Sequence, residues 1–323
     1  MPRQQPVTAA PRRRAETRAG LTLVELLAAI VLFGIVAGTI MTLVTRQQRY
    51  YAGATEVMDV RGQIREAASL LPIDLRGTSS IGGDIMFVSD SAMEFRATYG
   101  TAVVCRVDGP NAVLDVLPPN LARHTLTSWY TAPAAGDTLF VFDEGPTQGA
   151  QDDFWGTYRL VVDPGTRTDV CLGAPYADPV LDAPALKPRW RFTADRPISA
   201  TVVPGAVIRF TRRVKYSLYH SPTDNLWYLG YRTRQADGSW GNVQPVSGPY
   251  RSYSATAGQS GLSLSYFDQN GVPVANTEDG RKTIARISVT VRGQGQMGRN
   301  AAASLKGPFR DSLSLHIALR NRQ

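Results

Sequence analysis

The feature that most constrains this chain is residues 21–44, a run of 24 that is apolar except for Thr22, Glu25, Thr39 and Thr42. At 1.5 Å per residue such a run makes about 36 Å of helix, enough to cross a hydrocarbon core of about 30 Å. Five arginines precede it (Arg3, Arg12, Arg13, Arg14 and Arg18), whereas only Arg46 and Arg49 follow closely. That bias predicts a single pass with the N-terminus cytoplasmic and the remainder of the chain on the far side of the inner membrane. Glu25 does not fit a plain anchor. An ionised carboxylate inside a membrane segment is costly, so it reads as functional and calls for a cationic partner.

Three common targeting signals account for the segment poorly. A secretory signal peptide has an apolar region of about 7–15 residues with an A-x-A site close behind it. Ala52-Gly53-Ala54 supplies such a site, but the apolar run is too long and the polar stretch 45–49 separates the two. Arg12-Arg13-Arg14 suggests twin-arginine export, yet Ala15-Glu16-Thr17 stands where apolar residues should follow. An ordinary anchor leaves Glu25 unexplained.

The stretch Gly20-Leu21-Thr22-Leu23-Val24-Glu25-Leu26-Leu27 resembles the prepilin cleavage and methylation motif of type IV pilins and type II secretion pseudopilins. The resemblance implies a leader of residues 1–20, cleavage by prepilin peptidase between Gly20 and Leu21, and N-methylation of Leu21. It also implies that Glu25, fifth in the mature chain, pairs with the N-terminal amine of a neighbouring subunit. Leu21 stands where phenylalanine is commonest in the family, and the leader is long. Gly20 has no Cβ and lets a protease approach the backbone. Gly34 and Gly38 form a small-xxx-small pair that suits close helix packing, against the plainer fact that glycine is frequent in membrane helices.

Beyond the run, Val57, Val60, Ile64, Ala67, Ala68 and Leu71 recur at helical spacing, so residues 45–76 read as an amphipathic continuation of the same helix. Pro72 is expected to kink or end it, and Gly77 to open a loop. Residues 77–323 read as a periplasmic β-rich domain, with Gly (29) and Pro (21) frequent enough for a turn-rich sheet. Strands are predicted at 85–89, 92–98, 103–107, 112–117, 138–142, 157–162, 190–193, 207–219, 227–234, 262–267, 284–291 and 313–319. Pro222-Thr223-Asp224-Asn225, Asp237-Gly238 and Asn270-Gly271 mark turns between them. The expected class is α+β and pilin-like: a long N-terminal helix followed by a large antiparallel sheet. Short stretches such as Leu71-Pro72-Ile73-Asp74-Leu75-Arg76, Leu226-Trp227-Tyr228-Leu229 and Leu264-Ser265-Tyr266-Phe267-Asp268 resemble the J-type pseudopilins and W-type minor pilins. Residues 100–200 carry no such likeness and read as an insertion.

Little in the chain points to catalysis. His124, His220 and His316 are isolated, and no Ser/His/Asp or Cys/His order can be assembled. Gly293-Gln294-Gly295-Gln296-Met297-Gly298 satisfies G-x-G-x-x-G, but too little chain follows for a βαβ unit, so a flexible loop is expected. Asp268 and Asn270 are weak calcium candidates in what is foremost a turn, and Asp143, Glu144, Asp152 and Asp153 read as solvated turn carboxylates. No cofactor is implied. Cys105 and Cys171 would lie in an oxidising compartment, where a disulfide is the first reading and two buried thiols the alternative.

The chain carries a net charge of +8, which taken whole would suggest nucleic acid. Residues 1–20 supply five arginines and one glutamate, so half of that charge belongs to the leader. Arg209, Arg212, Arg213 and Lys215, with Tyr216 and Tyr219 between them, read as a solvated strand face or a subunit contact rather than a nucleic-acid site. The resemblance therefore implies a minor pseudopilin that helps initiate or cap a secretion pseudopilus. Its partners would be prepilin peptidase, other pseudopilins and the inner-membrane assembly platform. A minor pilin of a type IV pilus is the alternative (priming, adhesion or DNA uptake), and a membrane-anchored enzyme ranks below both.

Overall fold

The computed structural model describes residues 20, 22–119, 126–147, 149–169, 171, 176, 180, 189–295 and 308–319. One helix of 54 residues, α1 (Leu23–Arg76), carries both the apolar run and the amphipathic stretch. It is long and apolar enough at its N-terminal end to span a membrane. Its apolar run, residues 23–44, is exposed throughout. Its second half buries Val60, Ile64, Ala67, Leu71 and Leu75, one stripe at three- and four-residue spacing.

Of the two outcomes expected at Pro72, a kink or an end, the helix does not end there; it continues to Arg76, the bound read from the sequence, and Gly77 caps it. A proline removes one backbone donor and crowds the preceding turn. Here that turn is flanked by Leu71 and Leu75, at 1% and 0% exposure, and tied to the sheet by a 2.7 Å hydrogen bond from the Tyr216 hydroxyl to Asp74. Tertiary packing outweighs the local penalty.

The rest of the described chain is a large antiparallel sheet. Its strands are β1 (Ile85–Val88), β2 (Ala92–Asp108), β3 (Val113–Val116), β4 (Ser128–Trp129), β5 (Thr138–Asp143), β6 (Phe154–Arg159) and β7 (Gly165–Arg167). They continue as β8 (Arg189–Thr193), β9 (Val207–His220), β10 (Trp227–Thr233), β11 (Gln244–Tyr250), β12 (Leu262–Phe267), β13 (Arg286–Gln294) and β14 (Arg310–Ala318). The main order is β12-β13-β11-β10-β9-β2-β3-β8-β7, with β1 and β4 on β2, β14 on β13, and the β5–β6 pair on β9. A short helix, α2 (Glu278–Thr283), sits between β12 and β13.

Strand β9 organises the domain. Its outer half pairs with β10, its inner half with β5, and most of its length with β2. Two cores lie along it. Tyr216 and Val214 join the core under α1, and Phe210 and Ile208 join a second core with Leu139, Val141 and Phe192. Arg212 stands between them on the strand, its guanidinium bidentate to Asp137 at 2.7 Å for both contacts. The 100–200 region therefore builds much of the second core, and β2 passes into it as one strand of 17 residues where two were expected. A bulge near Gly100 keeps β2 continuous, and a Cβ there would lie 2.6 Å from the Trp129 Cβ.

Candidate functional site

The residues that the sequence singles out are gathered on α1 and on the surface that seats it. The helix opens with a capping box. Glu25 N–H donates to the Thr22 hydroxyl oxygen at 3.3 Å, while Thr22 N–H and hydroxyl both donate to Glu25 Oε2 at 3.0 Å. A carboxylate in the first turn also meets the positive end of the helix dipole. Glu25 thus has hydrogen-bond donors within its own chain but no neutralising cation among the described residues. Gly20 lies exposed just before this cap, and Leu21 lies outside the described residues.

Farther along, Gly34 and Gly38 leave an open notch lined by Ile35, Thr39, Thr42, Leu43 and Arg46. The hydroxyls of the run are satisfied internally: Thr39 donates to Val36 O at 2.7 Å and Thr42 to Gly38 O at 2.8 Å. Polar side chains that bond back to their own helix leave no orphan groups in an apolar surround.

The second half of α1 is held by three devices. First, glycine brings helix and sheet close: a Cβ on Gly293 would lie 2.7 Å from Val60 Cγ1, and one on Gly295 would overlap the Glu56 carboxylate. The first two glycines of the G-x-G-x-x-G stretch are therefore a helix seat at the end of β13, not a flexible loop; Gln296, Met297 and Gly298 lie outside the described residues. Second, Gln63 is latched to β11. Its carbonyl accepts from the Ser247 and Tyr250 hydroxyls at 2.6 and 3.1 Å, and its side-chain Oε1 accepts from Gly248 N–H at 3.1 Å. Third, Arg61 pairs with Asp311 of β14 at 3.0 Å. Burial pushes the Asp74 carboxyl above its ordinary range, and the Tyr216 hydrogen bond opposes that only in part.

Where α1 ends, Asp84 fastens the following loop. Fully buried, it accepts from Ser79 N–H and pairs with Arg209, both at 2.8 Å. Arg209 also donates to Gly77 O at 3.4 Å, so the helix terminus and the sheet share one guanidinium. Arg213 pairs with Glu94, and Arg212 with Asp137. Arg209, Arg212 and Arg213 of β9 thus each have a carboxylate partner within the chain, and all three stay partly exposed. Buried carboxylates are what their pattern in sequence leaves invisible.

The remaining candidates fall elsewhere. Cys105 and Cys171 form a disulfide with Cα atoms 5.7 Å apart, beside Leu117 and Tyr176. Asp268 Oδ1 accepts from the N–H groups of Asn270 and Val272 at 2.9 and 2.8 Å, which closes the turn at Gly271. Asp152 is likewise engaged by the Thr147 N–H and hydroxyl. His220 meets Asn225 and His316 meets Ser288, while His124 lies outside the described residues. Among the described residues no three metal-binding side chains of the His, Cys, Asp and Glu types converge. Gln63, Asp84 and Asp115 had no signal in the sequence. The last is a buried carboxylate shared by Arg189 and Arg191. Comparison of the chain with protein-family models, curated proteins and solved structures gave no match.

Proposed function

We propose that this chain is a minor pseudopilin, trimmed by prepilin peptidase after Gly20 and assembled through its stem into a type II secretion pseudopilus. The observation that carries the reading is the division of α1: an exposed apolar half that starts on the Thr22–Glu25 cap, and a half clamped to a large sheet. On this reading the first half resides in the inner membrane with the N-terminus cytoplasmic, and the sheet domain of residues 77–323 is periplasmic. Glu25, already oriented by Thr22, receives the amine of a neighbouring subunit on the side the cap leaves open. Gly34 and Gly38 let neighbouring stems approach. The subunit does mechanical and assembly work alongside other pseudopilins and the inner-membrane platform.

The direct test is mass spectrometry of the N-terminus of protein purified from a host with an active prepilin peptidase. N-methyl-Leu21 is the expected result. An intact Met1, or a cut near Ala54, overturns the reading.

A further inference from the structure

The outward side of β2, β9 and β10 holds like charges in register. Lys215 stands between Glu94 on β2 and Arg232 on β10. One step along, Arg213 stands opposite Arg96 on β2, and its carbonyl accepts from Arg234 N–H at 2.8 Å just past the end of β10. Six neighbouring positions thus hold five cations and a single anion. Directly opposed like charges destabilise a sheet.

Compensation is partial. Glu94 pairs with Arg213, and Asp84 is 3.9 Å from Arg96. Lys215, Arg232 and Arg234 have no carboxylate within ion-pair distance among the described residues. Instead Arg213, Lys215 and Arg234 crowd around one indole, that of Trp240, at 6.0, 6.0 and 5.2 Å. All five cations are half-exposed. A face kept at this electrostatic cost is complementary to an acidic surface.

The same chain presents one. The hairpin tip between β5 and β6, residues 143–153, holds Asp143, Glu144, Asp152 and Asp153 and no base. Asp143 is buried, Asp152 is tied to Thr147, and Glu144 and Asp153 are exposed. Val141 pairs with Ile208, so the tip lies beyond residue 207, about 25 Å along β9 from Arg213 and Lys215 at about 3.3 Å per residue. Within one molecule the tip and the cationic face cannot meet.

We propose that the cationic face of one copy receives the acidic β5–β6 tip of a second copy, a head-to-tail contact between different surfaces. Such heterologous contacts generate rings or open chains rather than a closed two-fold dimer. The inference is independent of how the N-terminus is processed.

The test is sedimentation of the full chain in detergent micelles at low and high salt, for wild type and two charge-neutralised variants. One variant carries Arg232→Gln with Arg234→Gln, and the other Glu144→Gln with Asp153→Asn. Wild type should self-associate at low salt and dissociate as salt rises. Each variant alone should lose association by about tenfold or more, and a mixture of the two should regain a one-to-one contact, because the unaltered face of the tip variant meets the unaltered tip of the face variant. Restoration on mixing also shows that both variants are folded. A monomeric wild type, a variant that associates as wild type does, or a mixture that stays dissociated overturns the proposal. Association that ignores both variants belongs to the stems and counts equally against it.

Discussion

The contact between Gly293 and Val60 offers the sharpest check on how α1 is held. In a strand free of neighbours, Gly→Ala is favourable by about 0.5–1 kcal/mol, because glycine loses more freedom on folding. At Gly293 the added methyl would lie 2.7 Å from Val60 Cγ1 and 3.1 Å from Ile64 Cδ1. Both neighbours are buried, at 4% and 3% exposure, so neither can swing into solvent. Overpacking of this kind costs about 1–3 kcal/mol, which reverses the sign expected from the backbone. Val60→Ala alone removes two methyl-sized groups at about 0.8 kcal/mol each, with a cavity penalty in addition. In the double variant the Gly293→Ala methyl occupies space that Val60 has left. The pair should therefore be less destabilised than the sum of the singles, by about 1–2 kcal/mol. Urea unfolding of the detergent-solubilised chain, followed by tryptophan fluorescence, measures all four corners of the cycle. A stabilising Gly293→Ala, or singles that add within about 0.5 kcal/mol, would refute the idea that these glycines seat the helix.

Two further perturbations test other parts of the fold. The Asp74 carboxyl is held above its ordinary range by burial, so the native state binds its proton more tightly than the unfolded chain does. Its contribution to stability is full below the unfolded value of about 3.9 and is lost as pH rises through the higher folded value. Asp74→Asn keeps an acceptor for Tyr216 and should flatten this slope when unfolding is followed upward from acid pH; an unchanged slope contradicts the assignment. Replacing Cys105 and Cys171 together by serine opens a loop of 66 residues, for which chain entropy gives a loss of about 4 kcal/mol. Calorimetry of the oxidised wild type against the double variant reads that loss, and a difference below about 1 kcal/mol would mean that the bridge constrains little.

How far the sequence reached depends on where the information resides. The stem was legible because membrane-scale apolarity and the spacing of Val60, Ile64 and Leu71 are local properties of the chain. Strands with alternating patterns, such as β9 and β12, were legible for the same reason. Strand β11 was not: Pro245, Gly248 and Pro249 give it low strand propensity, and its register is fixed by β10 on one side and Gln63 on the other. That Pro72 would not end the helix was not legible, because the buried Leu71 and Leu75 beside it enter only with the fold. The partners of the β9 arginines were not legible, since Asp84, Glu94 and Asp137 lie far away in sequence. The two glycines at the end of β13 looked like a loop motif because the helix they accommodate lies more than 200 residues earlier in the chain.

The continuity of α1 sets how load would travel through this molecule. At about 1.5 Å per residue its 54 residues span about 80 Å, with no break between the exposed apolar part and the part clamped to the sheet. A force along the helix axis is therefore delivered to Gln63, Arg61, Asp74 and the buried stripe together, as shear shared among side contacts rather than as peeling from one end. Attachments loaded in parallel must yield together. Axial displacement of the stem thus carries the sheet with it as one body, and the mechanical weak point moves from the helix–sheet junction to whatever holds the stem itself.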